Sequence, residues 1–228
     1  YLFEVEKFAE ARCFFEYLDA QQVWDAYFYQ QMGYCYQYLE MWNDAVSCYE
    51  KADLLEANDV WTLKREALCY RRLERWVEAI ECYEAILKLK EEDVATMLNL
   101  ANMYVSIDDF EKARMLLYKV DYLRPNNYKT MSGLAWCLFV GGDYEKAMTY
   151  YDKLSQHKDF SAEDALNGGH TFWALGAKDI AREYYRKAKA LIDNDVKFAE
   201  KMIEDAEYLK RLGLSDEDIV ILINQILF

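Results

Sequence analysis

A period of 34 residues runs through this chain and leaves few folds open to it. Small residues recur at Gly33, Ala67, Ala101, Ala135 and Gly169, and a second small series falls at Ala45, Ala79, Ala113, Ala147 and Ala181. Large residues keep the same step at Tyr36, Tyr70, Tyr104, Leu138 and Phe172, then at Tyr49, Tyr83, Leu117, Tyr151 and Tyr185. Small positions let two helix axes approach and large ones fill the hollow opposite, which is what antiparallel helices need in order to pack. Within 94 to 127, Met97, Leu100, Ala101 and Tyr104 make one helical stripe, a break follows at Asp108 and Asp109, and Phe110, Ala113, Leu117 and Val120 make a second before Pro125. Each period therefore predicts one helical hairpin, with inner breaks near Glu40, Glu74, Asp108, Gly141-Gly142 and Gly176. Helix-capping types hold the same phase at Asp25, Asp59, Asp93, Asn127, Ser161 and Asp195, and Asp143 is expected to cap the helix after the glycine pair.

Five hairpins follow from this phase, at 26–59, 60–93, 94–127, 128–161 and 162–195, after a half repeat at 1–25. In that half repeat Phe8, Ala11, Phe15 and Leu18 match Phe110, Ala113, Leu117 and Val120, so they read as the second helix of a hairpin whose first helix lies upstream. Phe3, Phe8 and Phe15 are then expected to be bared where that helix would cover them. After Asp195 the period lapses, since Ile203 takes a small position. Phe198, Met202, Ala206 and Leu209 still form one dry stripe against a charged face, the pattern of a solenoid's capping helix in the segment 196–228. Gly213 ends it, and Ser215 with Asp218 forms a capping box for a terminal helix that is apolar almost all round. That helix folds back on the array, meets another chain, or leads into a further domain.

With these residues placed, the chain resembles the tetratricopeptide repeat family. Its pattern of a large residue, then Leu-Gly, then an aromatic is met by Tyr29, Met32, Gly33 and Tyr36, and again by Met131, Leu134, Ala135 and Leu138. The resemblance implies an all-α fold, a right-handed α-α superhelix or solenoid of helical hairpins. It implies a non-catalytic protein-protein interaction scaffold or adaptor that binds a peptide segment of a partner in a concave groove. The alternative is homo-oligomerisation, or a structural module of a larger multidomain protein of enzymatic or signalling role. Glu66 and Gly168 stand where apolar residues are expected and only Pro125 fills the proline place, so the second and fifth hairpins are expected to pack less regularly.

Composition narrows the partners. Twenty-seven basic against 41 acidic residues give a net charge of −14, which disfavours nucleic acid and anionic membrane. No run is long enough to span a bilayer. Of the six cysteines, Cys35, Cys69 and Cys137 share one column and Cys48 and Cys82 another, as small buried hydrophobes do. No Cys-x-x-Cys or Cys/His spacing suits a metal, so neither metal nor cofactor is expected, and reduced thiols suit a cytoplasmic protein. No phosphate-binding glycine loop, His-Glu-x-x-His or Gly-x-Ser-x-Gly is present; His157 falls in a loop, and acid pairs such as Asp108-Asp109 sit at helix starts where capping accounts for them.

In the family the first helix of each hairpin lines the groove, and the columns left over from packing name the candidate contacts. These are Tyr34, Trp61, Lys64, Arg65, Arg71, Arg72, Asn99, Asn102, Lys129, Trp136, Asn167, His170 and Trp173, with Tyr27, Gln30, Gln31 and Tyr38 beside them and Glu163 as the one acid. Amides pair with a peptide backbone, rings cover its side chains, and cations draw in an acidic segment or a C-terminal carboxylate. Some relatives grip that carboxylate with Lys and Asn from three consecutive hairpins. Lys64, Asn99 and Lys129 stand at the matching spacing, but Leu68 and Gly133 occupy the other two places and leave the clamp incomplete. A homodimer through the chain ends is a further expectation.

Overall fold

The computed structural model describes residues 7–228, and among them there are fourteen helices and no strand. Phe3 and the first six positions of the half repeat lie outside the described residues. The chain divides at Asp109/Phe110 into two compact units. The first holds α1 (Phe8–Asp19), α2 (Ala26–Tyr38), α3 (Trp42–Leu55), α4 (Val60–Arg72), α5 (Trp76–Leu89) and α6 (Val94–Ser106). The second holds α7 (Phe110–Leu123), α8 (Tyr128–Val140), α9 (Tyr144–Ser155), α10 (Ala162–Ala174), α11 (Lys178–Ile192), α12 (Asp195–Glu204), α13 (Ala206–Arg211) and α14 (Asp216–Leu227).

The helices begin where a side chain can satisfy a free N–H. Asp25, Asp59, Asp93, Asn127 and Ser161 accept from the backbone N–H three residues on, at 2.9, 2.8, 3.2, 3.1 and 3.0 Å. Two expected caps differ. At α12 the cap is Asn194, bonded to the Lys197 N–H, and not Asp195, while the Asp143 side chain makes no cap bond and takes the Lys146 ammonium at 2.6 Å instead.

The inner turns share one geometry. Glu40, Glu74, Asp108, Gly142 and Gly176 are left-handed, with φ of 57°, 57°, 58°, 80° and 76°. The residue after each returns its N–H to a carbonyl five back: Met41 to Tyr36, Arg75 to Tyr70, Asp109 to Tyr104, Asp143 to Leu138 and Ala177 to Phe172, all between 2.8 and 3.0 Å. This is the Schellman closure of a helix end.

In the first unit a hydrogen bond reinforces each step of the stack. Tyr36, Tyr70 and Tyr104 donate their phenol O–H to Glu16, Glu50 and Glu84, on the second helix of the hairpin before, at 2.9, 2.9 and 2.6 Å. Phe8, expected to be bared, is 4% exposed; it stacks on Tyr38 at 4.1 Å and sits beside Cys35, while Phe15 meets the Phe28 ring edge-on. Glu66 is also buried, at 7% exposure.

The second unit overturns the expectation of loose packing in its last full hairpin. A Cβ on Gly168 would lie 2.6 Å from the Tyr184 ring, and one on Gly169 would lie 2.3 Å from Tyr185, so both rings rest directly on α10 backbone. Beyond α11 the chain folds back on its own unit. Phe198, Met202 and Leu209 are fully buried, and α14, started by the Ser215–Asp218 capping box, buries Ile219, Leu222, Ile223 and Ile226 in the same core. Its opposite side leaves Val220 and Ile221 half-exposed.

Candidate functional site

In the first unit the first helices of successive hairpins, α2, α4 and α6, are cross-linked along one face. The Gln30 amide donates to Asp59 and Thr62 at 3.2 and 2.9 Å. Lys64 reaches the α6 cap Asp93 at 2.7 Å. Burial alone would raise the Asp93 carboxyl, but Lys64 and the Thr96 N–H outweigh it and hold it below its usual range. Arg71 donates at 3.4 Å to both the Tyr83 hydroxyl and the Asn99 side-chain oxygen.

Two guanidinium groups on this face are held in a different way. Arg65 lies over the rings of both Tyr34 and Trp61, at 4.9 and 5.1 Å, and Arg72 lies over Trp42 at 5.6 Å. Neither has a carboxylate partner among the described residues. Ring contacts use the flat face of a guanidinium and leave its in-plane N–H fork available for an anion. Beside Arg72 a cleft of about 430 Å³ opens between α4 and α6, lined by Leu68, Arg71, Arg72, Trp76, Asn102, Met103 and Ser106. Asn102 is exposed at its rim.

Of the expected contacts, Tyr34, Trp61, Lys64, Arg65, Arg71, Arg72, Asn99 and Asn102 thus share one face of the first unit. The cations among them divide by role. Lys64 is occupied by Asp93, and Arg71 by neutral partners, which leaves Arg65 and Arg72. The column pattern could not make this division, because Trp42, Asp93 and Tyr83 belong to other helices or to a cap.

The second unit places its candidates otherwise. Lys129 is exposed on the first turn of α8. Asn167 is 8% exposed and Trp136 lies half-buried under Tyr208 of α13, ring centroids 5.0 Å apart. His170, expected to face a groove, is 0% exposed: Nδ1 meets the Tyr185 hydroxyl at 2.9 Å and Nε2 meets Asp205, at the α12–α13 break, at 3.2 Å. His170 therefore joins α10 to the end of the chain and offers no free nitrogen to a ligand. Trp173 borders a cleft of about 410 Å³ shared with Lys178, Arg182, Leu212 and Ile221. In this unit Tyr208 of α13 and Asp205 at the α12–α13 break lie over Trp136 and His170.

One organising residue was not legible in the pattern. Asp164, 3% exposed, accepts from Ser132 at 2.5 Å and Ser161 at 2.7 Å and from the Tyr128 hydroxyl, tying α8 to α10. His157 rests near the Tyr128 ring in the turn before α10. No group of three or more His, Cys, Asp or Glu among the described residues is arranged to hold a metal, and no helix among them is long and apolar enough to cross a membrane.

Residues 63–95, 94–127 and 130–157 each match a model of the tetratricopeptide repeat. No curated protein matches the chain in sequence. Among solved structures it is similar to YrrB, described as a TPR protein with an unusual peptide-binding site, at 19% identity and TM-score 0.67 over 87% of this chain and 98% of that one. It is similar to MamA at 20% identity and TM-score 0.66, over 83% and 96%. A tetratricopeptide repeat protein from Parabacteroides merdae covers 98% of this chain, with 79% of its own length, at 16% identity and TM-score 0.54. At these identities the likeness speaks for the fold, an all-α solenoid of helical hairpins.

Proposed function

We propose that this chain, a tetratricopeptide repeat protein, is a non-catalytic scaffold that holds an acidic, extended segment of a partner protein against the α2–α4–α6 face of its first unit. Interaction scaffolding is what tetratricopeptide repeats generally do; the choice of face and of ligand charge comes from this molecule. The observation that carries it is Arg65, held against Tyr34 and Trp61 with no carboxylate partner among the described residues, in a chain of net charge −14. A cation without a carboxylate partner among the described residues of so acidic a chain, and fixed in place by rings, is set up to receive an anion from outside. Trp61, 38% exposed, offers apolar surface beside it, and Asn102 offers an amide to the ligand's backbone.

A terminal-carboxylate clamp is not part of this reading, because Lys64 is bound to Asp93 and Leu68 fills a place that needs Asn. The test compares proteins captured from source-cell lysate by the wild-type chain and by Arg65→Glu. Circular dichroism should show equal helicity, since Arg65 packs on rings at the surface. A partner retained by wild type and lost by the variant supports the reading; a partner captured equally by both refutes it.

A further inference from the structure

We propose that α4 reads two acidic side chains at a fixed separation, Arg65 taking one carboxylate and Arg72 the other, from a partner segment in which they stand three residues apart. This rests on the α2–α4–α6 face being the partner surface and adds the spacing rule. Arg65 and Arg72 are seven residues apart on one helix, which puts them on the same side, two turns apart, at roughly 10.5 Å. Leu68 lies between them on that side, half-buried, as an apolar floor for the residues in between.

The ligand's conformation follows from matching that distance. A polyproline-type segment returns a side chain to the same side every third residue, after about 9.3 Å, within reach of two flexible arginine stems. A β-strand returns one after roughly 6.8 or 13.6 Å and straddles the distance. A helical ligand with acids seven apart also spans about 10.5 Å, but its backbone groups are satisfied internally. An extended segment has unpaired amides, and the exposed Asn102 side chain beside Arg72 supplies a partner for them. Both guanidinium groups are already seated, Arg65 on Tyr34 and Trp61 and Arg72 on Trp42, so little side-chain freedom is lost when a carboxylate arrives.

The test measures fluorescence anisotropy of labelled dodecapeptides carrying one Glu, or two Glu at separations of two, three, four or seven residues, against wild type, Arg65→Gln, Arg72→Gln and Trp61→Ala. The three-residue separation should bind about tenfold tighter than two or four, and either Gln variant should lower it to the level of a single-Glu peptide. Equal affinity at every separation, or tightest binding at seven in a helix-forming background, overturns the spacing rule. If those peptides nonetheless lose affinity for Trp61→Ala, the face remains the partner surface. No binding by any peptide at millimolar concentration overturns both.

Discussion

Replacing Glu66 with Gln should make the chain more stable, and only at neutral to alkaline pH. Glu66 is 7% exposed in an α4 position whose counterparts in other hairpins include Met32, Leu100 and Leu134, and burial is the main cause that lifts its pKa from 4.5 to about 7, with Asp53 and Glu50 adding repulsion. The hydrogen bonds agree with a neutral acid: the single Tyr70 phenol proton lies within reach of Glu50 at 2.9 Å and Glu66 at 3.2 Å. If the phenol gives its proton to Glu50, its oxygen can accept one from a protonated Glu66. Between pH 4.5 and 7 the native chain then holds a proton that the unfolded chain has released, so stability falls as pH rises through that window. The full shift corresponds to about 3 kcal/mol, but the sequence pI of 4.7 makes the acid end impractical for solution work. From about pH 5.5 to about pH 9 the remaining 1.5 units correspond to roughly 2 kcal/mol. Urea unfolding of both proteins at those two pH values, followed by circular dichroism, should show the variant gaining that amount on wild type between them. A difference that stays constant with pH would refute the reasoning, because it would mean that Glu66 ionises alike in the folded and unfolded chain.

Gly169→Ala should lower stability by about 3 kcal/mol in urea titration, because its Cβ would sit 2.3 Å from a fully buried Tyr185 ring with no space to retreat. In the opposite direction, Glu74→Gly relieves a left-handed non-glycine residue at a Schellman turn and should raise stability by up to about 1 kcal/mol in the same titration. Ellman's reagent under native conditions should titrate one thiol of six rapidly, that of exposed Cys13. Burial shelters Cys35, Cys48, Cys69, Cys82 and Cys137 and lifts their thiols, to about 11 for Cys35 and Cys137 and about 12 for Cys48 and Cys69; fast reaction of more than one would contradict this. Tyr208→Ala should uncover Trp136 and red-shift tryptophan emission while the first unit's peptide affinity stays unchanged.

Much of the fold was legible because it is written in local terms. The small and large columns, five of the six caps that keep the repeat phase and the inner breaks depend on residues within one hairpin or its neighbour, and a 34-residue period repeats each signal several times over. A few local features still escaped the column reading. The Tyr36–Glu16, Tyr70–Glu50 and Tyr104–Glu84 bonds keep a constant separation of twenty residues, so the pairing of each buried hydroxyl is itself periodic in the sequence. Gly168 interrupts its apolar column because the Tyr184 ring fills the space a side chain would take.

The sequence by itself determined an all-α array of helical hairpins and the helix face on which Arg65, Arg72, Trp136 and His170 would each stand. Tertiary structure alone decided which of those positions remain open to a partner. Arg65 and Arg72 lie over the rings of Tyr34, Trp61 and Trp42 with no carboxylate partner among the described residues, whereas Lys64, on the same helix, is spent on Asp93. Trp136 and His170 continue the column of Tyr34, Leu68 and Asn102 in the second unit, yet Tyr208 and Asp205 cover them. A periodic pattern reports the direction a side chain takes from its helix axis, while its exposure depends on whatever distant segment arrives on that side. Here the arriving segment is α12–α13, where the period has lapsed and the pattern no longer says where the chain will go.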